Sequence, residues 1–304
     1  MHFSSGQGSS PPGKPRFGSR IPGAWVRRVS DLRDLIDQVA LSGAEGIQLD
    51  LGGAIDPLSL SQTGRREIAT AFRSREIPLL ALGSGLRKAL DEPENHEARL
   101  ARVSDLARLA SEMGARALIL PSGDPVQKEA PRNEAHPITE VPVLSALLGG
   151  EIRLKNPNKD PLRRSNVLDE SLAFLARLAT RQGLLPLLDP GSFDTRMLWE
   201  RIQAPGLGEL GLVWDPATQL AGGRRPIPFL TQFPEIHGRG LLVTGRDWLQ
   251  SQAQEVQPGL GDVDWQELLI RMGTAGFDGF VVAHGSNCRD VASFTQALVG
   301  LGKQ

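Results

Sequence analysis

The chain has 304 residues, of which 40% are hydrophobic, with a formal net charge of −1 and a single cysteine. This charge balance gives no reason to expect nucleic acid or an anionic membrane as a partner, and one cysteine excludes a disulfide within the chain. A reducing compartment, the cytoplasm, fits that cysteine usage, and no apolar run approaches the roughly 20 residues of a membrane helix.

The first 22 residues are rich in Gly, Ser and Pro and lack the apolar region of an ordinary secretory signal. A segment of this composition buries too little surface to offset its chain entropy. We therefore predict a disordered tail over residues 1–22 and a single folded domain over residues 23–304.

Beyond the tail, short apolar runs alternate with longer amphipathic stretches. The runs show little polar alternation, which is typical of strands buried on both faces of a parallel sheet. Eight strands are predicted, at residues 24–28, 46–51, 77–85, 117–123, 184–191, 210–216, 240–246 and 277–285. The first of them, AWVRR, is the weakest.

The stretches between the strands carry apolar residues at helical spacing. The clearest helices are predicted at residues 30–43, 96–114, 165–183, 262–276 and 290–302. Alternation of this kind predicts a parallel sheet with right-handed crossovers, and eight units favour a closed (β/α)8 TIM barrel, an α/β fold. An open doubly wound sheet would place a GxGxxG turn after its first strand, and no such turn follows either of the first two predicted strands.

Residues 124–165 interrupt the rhythm between the fourth strand and its helix. A connection of this length is either functional or a solvated insertion. In a barrel it lies at the face that carries active sites. A lid or phosphate-binding loop and a solvated insertion both remain open.

Polar residues stand at the ends of several predicted strands, and in a barrel these ends face a common mouth. Asp189, Asp215 and His284 end the fifth, sixth and eighth strands. Converging carboxylate and imidazole groups suit acid–base catalysis or a divalent cation. Each also has a plainer role, since Asp-Pro opens turns and caps helices and a rim histidine can serve as a hydrogen-bonding group alone.

The last βα unit carries a more specific pattern. PGLGDVDWQELLIRMGTAGFDGFVV, residues 258–282, has a Gly-rich turn, Asp-x-Asp-Trp at a helix start and GFDG before the final strand. This pattern resembles the xylose isomerase-like TIM barrels, the sugar phosphate isomerase/epimerase superfamily. SGAEGIQLDL, LASEMGARALIL and GLVWDPAT agree with it, so the resemblance covers roughly residues 25–300.

The resemblance implies a divalent metal held by glutamate, aspartate, histidine and glutamate on strands five to eight. Here those positions carry Asp189, Asp215, Thr244 and His284, so only Asp215 is retained as the same residue type. We therefore predict a degraded metal site, weak or absent, formed by Asp189, Asp215 and His284. The larger ligand set of relatives that act on abasic DNA is missing, which argues against that function.

Two functions follow from this comparison. The first is isomerisation or epimerisation of a small sugar or sugar phosphate by proton or hydride transfer, with Asp189, Asp215 and His284 catalytic and Arg246, Thr244 and Gln48 contacting the substrate. The second is a catalytically degenerate barrel that binds a small molecule or a protein. The expected ligand is a small carbohydrate, and a homo-oligomer is compatible with the sequence.

Overall fold

The protein forms a closed barrel of eight parallel strands. The structure is a computed structural model and describes residues 15–57, 59–123, 160–191, 193–232, 241–284 and 291–303. The barrel strands are β1 (Arg16–Ile21), β2 (Ile47–Asp50), β3 (Leu79–Gly83), β4 (Ala117–Pro121), β5 (Leu185–Asp189), β6 (Gly211–Trp214), β7 (Leu241–Gly245) and β10 (Phe280–Ala283). Each pairs in parallel with its neighbours in chain order, and β10 closes on β1. The predicted (β/α)8 fold is confirmed.

Helices surround the barrel. They are α1 (Val29–Leu41), α2 (Gln62–Arg73), α3 (His96–Met113), α4 (Pro161–Gln182), α5 (Thr195–Ile202), α6 (Pro216–Ala221), α7 (Pro226–Gln232), α8 (Trp265–Thr274) and α9 (Val291–Leu301). Gly114 and Gly183 end α3 and α4 with φ of 80° and 62°, a conformation that favours glycine. Across the described ranges, no helix combines the length and apolarity needed to cross a membrane.

The core has two layers, as expected when one sheet closes on itself and is covered by helices. Side chains from alternate positions of the strands fill the barrel interior. This inner cluster includes Leu80, Ile119, Leu187, Val213, Leu242 and Val282. The larger outer cluster lies between the strands and the helices, where α1 contributes Leu32, Ile36 and Val39. The rigid barrel therefore fixes the positions of its strand ends.

The first strand differs from the prediction. β1 is RFGSRI, residues 16–21, whereas a 3-10 helix, Gly23–Trp25, includes the start of the predicted strand at residues 24–28. β1 alternates strictly, because Phe17 and Ile21 belong to the outer cluster while Gly18 faces Leu80 and Val282 inside the barrel. The predicted tail boundary at residue 22 is therefore wrong for residues 16–21. Residues 1–14 lie outside the described residues, and their disorder stays a prediction.

An antiparallel ribbon of two short strands, which the sequence did not predict, follows β7. β8 (Asp247–Leu249) pairs with β9 (Gln254–Val256). The long connection after β4 falls mostly outside the described residues, and the structure resumes just before α4. The two interpretations of residues 124–165 therefore stay untested.

Candidate active site at the barrel mouth

The carboxyl ends of the strands enclose a cavity with two lobes. The first lobe, about 380 Å³, is bordered by the ends of β1 to β5 and includes Gln48, Asp50 and Ser84. The second lobe, about 310 Å³, is bordered by the ends of β5 to β7 and by α6, and includes Asp215, Gln219, Arg224 and Arg246. Four residues line both lobes, namely Arg20, Asp189, Thr244 and His284.

All six predicted site residues lie in this mouth. Gln48 borders the first lobe, Asp215 and Arg246 border the second, and the other three line both. Asp215 and His284 thus open into the same end of the barrel, as the fold predicted. The roles assigned to these residues depend on what each side chain contacts.

Asp215 already uses both of its carboxylate oxygens. It ends the β6 segment and caps α6, with Oδ1 accepting from the backbone N–H of Thr218 at 3.0 Å. Oδ2 accepts from the Thr218 hydroxyl at 3.0 Å and from Arg246 Nε at 2.7 Å. The Asp-Pro turn is therefore both a helix cap and one half of an ion pair.

Arg246 forms the other half of that pair and has further partners. Its Nη2 lies 2.6 Å from Asp215 Oδ2 and donates to Thr218 Oγ1 at 2.6 Å, while Nη1 donates to Glu255 on β9 at 2.6 Å. Burial alone would lower the pKa of Arg246, but Asp215 and Glu255 outweigh that effect and raise it. Arg246 is therefore a fixed, permanently charged group.

The ribbon that carries Glu255 is held by a buried carboxylate, Asp247. Its Oδ2 accepts from the backbone N–H groups of Gly259 at 3.0 Å and Gly261 at 3.1 Å. Its Oδ1 accepts from those of Trp248 at 2.8 Å and Val263 at 2.9 Å. Any side chain at residue 261 would collide with this carboxylate, since an added Cβ would lie 2.3 Å from Oδ1. This is the physical reason for the Gly-rich turn that the sequence pattern shows.

Asp189 lies at the junction of the two lobes. Its side chain is accessible to solvent, yet the walls of the mouth surround it closely. This partial desolvation raises the pKa of the carboxyl; the backbone N–H of Gly191, 2.9 Å from Oδ1, opposes the rise, and the nearby charge of Asp215 adds to it. A carboxyl with a raised pKa at the centre of a cavity has the properties of a general acid or base.

His284 follows β10 and also lines both lobes. Burial lowers the pKa of its imidazole to about 2, with the positive charges of Arg20 and Arg246 acting in the same direction. The ring is therefore neutral near pH 7. Its Nδ1 is buried and has no hydrogen-bond partner among the described residues, which is uncommon for a buried polar atom in a folded protein.

Two mouth residues were missed by the sequence reasoning. Arg20, at the end of β1, donates from Nε to Asp50 Oδ2 at 2.5 Å, and Gln48 Nε2 donates to Asp50 Oδ1 at 3.0 Å. Gly83 leaves space for the carboxylate of Asp50, because an added Cβ at residue 83 would lie 2.2 Å from Asp50 Oδ1. Gln219 on α6 is only 7% exposed, and its Oε1 has no partner in the described part of the chain. The alternation of RFGSRI was the signal that could have placed Arg20 inside the barrel.

The residues at this mouth do not fit the divalent metal that the resemblance implies. In the described ranges, no three or more His, Cys, Asp or Glu side chains are grouped as metal ligands. Both oxygens of Asp215 are engaged by Thr218 and Arg246. Thr244 is a neutral hydroxyl where the resemblance expects histidine. The side chains of this mouth therefore support no chemical step through a metal.

Comparison with solved structures shows the same architecture. The chain is similar to a 3-keto-D-glucoside 4-epimerase from E. coli, with 16% identity over 96% of this chain and 100% of the other, and a TM-score of 0.67. It is also similar to a xylose isomerase domain protein from Planctomyces limnophilus, with 18% identity, 96% and 98% coverage and a TM-score of 0.66. A D-tagatose 3-epimerase-like protein gives 14% identity, 94% and 97% coverage and a TM-score of 0.66.

The chain therefore has the fold of the xylose isomerase-like TIM barrels, as the sequence pattern implied. No protein-family model and no curated protein matches the sequence. At these identities the likeness establishes the fold, and the reaction has to be argued from the mouth itself.

Proposed function

We propose that this protein binds a small sugar or polyol in the barrel mouth and isomerises or epimerises it by proton transfer. The observation that carries the proposal is the group at the junction of the two lobes. It combines Asp189, whose pKa is raised, with a neutral His284 and the guanidinium of Arg20. A ligand that extends through both lobes must pass these three side chains.

The proposed reaction begins at a carbon next to a carbonyl group. Asp189 takes the proton from that carbon, and the electron pair of the C–H bond moves to the carbonyl oxygen. Arg20 stabilises the negative charge that develops there. If the planar intermediate turns its other face toward Asp189 before the proton returns to the same carbon, the product is the epimer. Proton transfer between the two oxygens through His284, followed by return to the neighbouring carbon, gives the isomer.

The walls of both lobes suit a polyol. The first lobe is lined by the amide of Gln48 and the hydroxyl of Ser84, and the second by the amide of Gln219, whose Oε1 is buried. Neutral hydrogen-bonding groups of this kind pair with hydroxyl groups. Similar structures that are named as sugar epimerases support the same substrate class.

The cytoplasm stays the proposed compartment, because a single cysteine fits a reducing environment.

A second candidate is a barrel that binds a small molecule without catalysis. The closed pair of Asp215 and Arg246 favours it, because the one ligand aspartate that the resemblance retains is committed to a protein partner. In this alternative Asp189 serves only as an acceptor for the backbone N–H of Gly191.

Exchange of substrate protons with D2O separates the two candidates. Aldoses, ketoses and their phosphates are incubated with the full chain, and NMR follows the loss of the proton next to the carbonyl. Exchange that Asp189→Asn removes, with ligand binding by calorimetry retained, supports the isomerase. The matched control is Asp278→Asn, at an exposed carboxylate paired with Arg16 at the other end of the barrel. Binding without exchange in the wild type identifies the binding barrel instead.

A further inference from the structure

The second lobe contains a positive charge held between two carboxylates. Arg246 bridges Asp215 at the end of β6 and Glu255 on the ribbon, at 2.6 Å to each. We infer that Arg246 is the built-in cation of this mouth, and that ligand binding in the second lobe needs no divalent metal. This inference concerns the charge of the site and stands whether or not the proposed reaction occurs.

The contacts of Arg246 leave little for a metal to bind. Its Nε, Nη1 and Nη2 all donate to protein acceptors, at 2.7 Å or less. A divalent ion requires several free oxygen or imidazole ligands. To bind Asp215 it would have to displace charge-assisted hydrogen bonds from Oδ2 and a helix cap from Oδ1. The guanidinium therefore competes with a metal for the same carboxylate.

The ribbon shows that this arrangement is built into the fold. Asp247 binds the backbone N–H groups on both sides of the ribbon's base, and this holds β9 where Glu255 reaches the guanidinium. Gln250, between the two strands, donates to the carbonyl of Leu220 on α6 at 3.4 Å. Arg246 is thus anchored from the barrel on one side and from the ribbon on the other.

The charges in the second lobe agree with this interpretation. Burial lowers the pKa of His284 most, and the charges of Arg20 and Arg246 act in the same direction, so the imidazole stays neutral. The positive field at the junction comes from guanidinium groups that stay charged at any physiological pH. The charge of Arg246 is shared between Asp215 and Glu255, so a ligand in this lobe meets a fixed ion cluster in place of a metal ion.

Binding of Mn²⁺, measured by electron paramagnetic resonance on the full chain, tests the inference. We expect the wild type to bind no stoichiometric Mn²⁺. In Arg246→Met the two carboxylates lose the guanidinium between them, and we expect Mn²⁺ affinity to rise by about tenfold or more because affinity follows the charge of the ligands. Adding Glu255→Gln to that variant should reverse the gain.

Two outcomes would overturn the inference. One is a tight Mn²⁺ ion in the wild type that survives dialysis against a chelator. The other is a folded Arg246→Met variant, verified by circular dichroism, with no gain in Mn²⁺ affinity. If Arg246→Met does not fold, Arg246→Lys carries the test: its ammonium keeps the charge and should leave Mn²⁺ binding as weak as in the wild type, whereas a gain would count against the inference. Failure of the exchange experiment above changes none of these readouts.

Discussion

Two of the aspartate–arginine pairs near the carboxyl ends of the strands differ in their access to water. Asp215 and Arg246 face the mouth, with 19% and 22% of their side chains exposed. Asp91 and Arg164 lie 2.5 Å apart between the loop after β3 and the start of α4, with exposures of 0% and 11%. The charged groups of the pairs are the same, although Arg246 also contacts Glu255 and Thr218.

Burial changes what the pair does. Desolvation raises the pKa of Asp91 even though Arg164 opposes the rise, and neither oxygen of Asp91 receives a well-aligned hydrogen bond within the described ranges. Asp215 accepts several such bonds from Thr218 and Arg246. The buried pair therefore links two segments at a high cost of desolvation, while the pair in the mouth is a satisfied and accessible charge.

The largest effect is expected for Arg164→Met. This change leaves a fully buried Asp91 without its partner, and breaking a buried pair from one side costs about 3–5 kcal/mol of the free energy of unfolding. Chemical denaturation at pH 7 measures it. The double variant Asp91→Leu with Arg164→Met removes both charges and should recover most of the loss. A double variant as unstable as the single one would show that the pair is not the cause.

Arg246→Met should cost less stability than Arg164→Met. Asp215 retains access to water and its bonds from Thr218, while Glu255 is only 8% exposed. We therefore expect a loss of about 1.5–3 kcal/mol, the range for hydrogen bonds to charged groups. The same denaturation measurement applies, with Arg246→Lys as the conservative control. A loss equal to that of Arg164→Met would mean that exposure does not distinguish the two pairs.

The sequence predicted the barrel because its alternation repeats eight times, and it predicted six mouth residues because strand ends converge whatever the loops do. It failed at β1 because RFGSRI contains only two large apolar residues, and its inward positions carry Gly18 and Arg20. A strand of this kind resembles a polar tail by composition and differs from it only in its alternation.

The partners of the site residues were harder to predict than the residues themselves. Strand order places the ends of β6 and β7 side by side, so a contact between Asp215 and Arg246 was within reach of the topology. Glu255 was not, because each strand of the ribbon has three residues and no hydrophobic period. Arg246 is held against Asp215 by Glu255, so the ion pair that occupies Asp215 depends on the geometry of the ribbon.

If the pKa of Asp189 is raised, the free energy of unfolding should depend on pH through this carboxyl, as it would not for an ordinary turn residue. Because its pKa is raised from 3.8, the folded protein keeps this proton to a higher pH than the unfolded chain. Its contribution to stability is thus fully present below pH ~3.8 and lost as pH rises through the folded value. We expect Asp189→Asn to lose less stability than the wild type between pH 4 and 7, measured by thermal unfolding. Parallel curves would contradict the raised pKa.

The smallest effect is expected for an exposed pair, which completes the comparison. Arg196 and Glu200 form an i,i+4 pair on α5 at 2.9 Å, with 61% and 52% of their side chains exposed. Water screens both charges, and the ordering of two long side chains offsets most of the attraction. Arg196→Met should therefore leave the free energy of unfolding unchanged within the error of chemical denaturation, at both low and high salt. A measurable loss that disappears in high salt would show that exposure alone does not rank these three pairs. It would also mean that desolvation is not the cause of the difference in stability between the buried pair and the pair in the mouth. The number of contacts that each arginine makes would then be the better explanation.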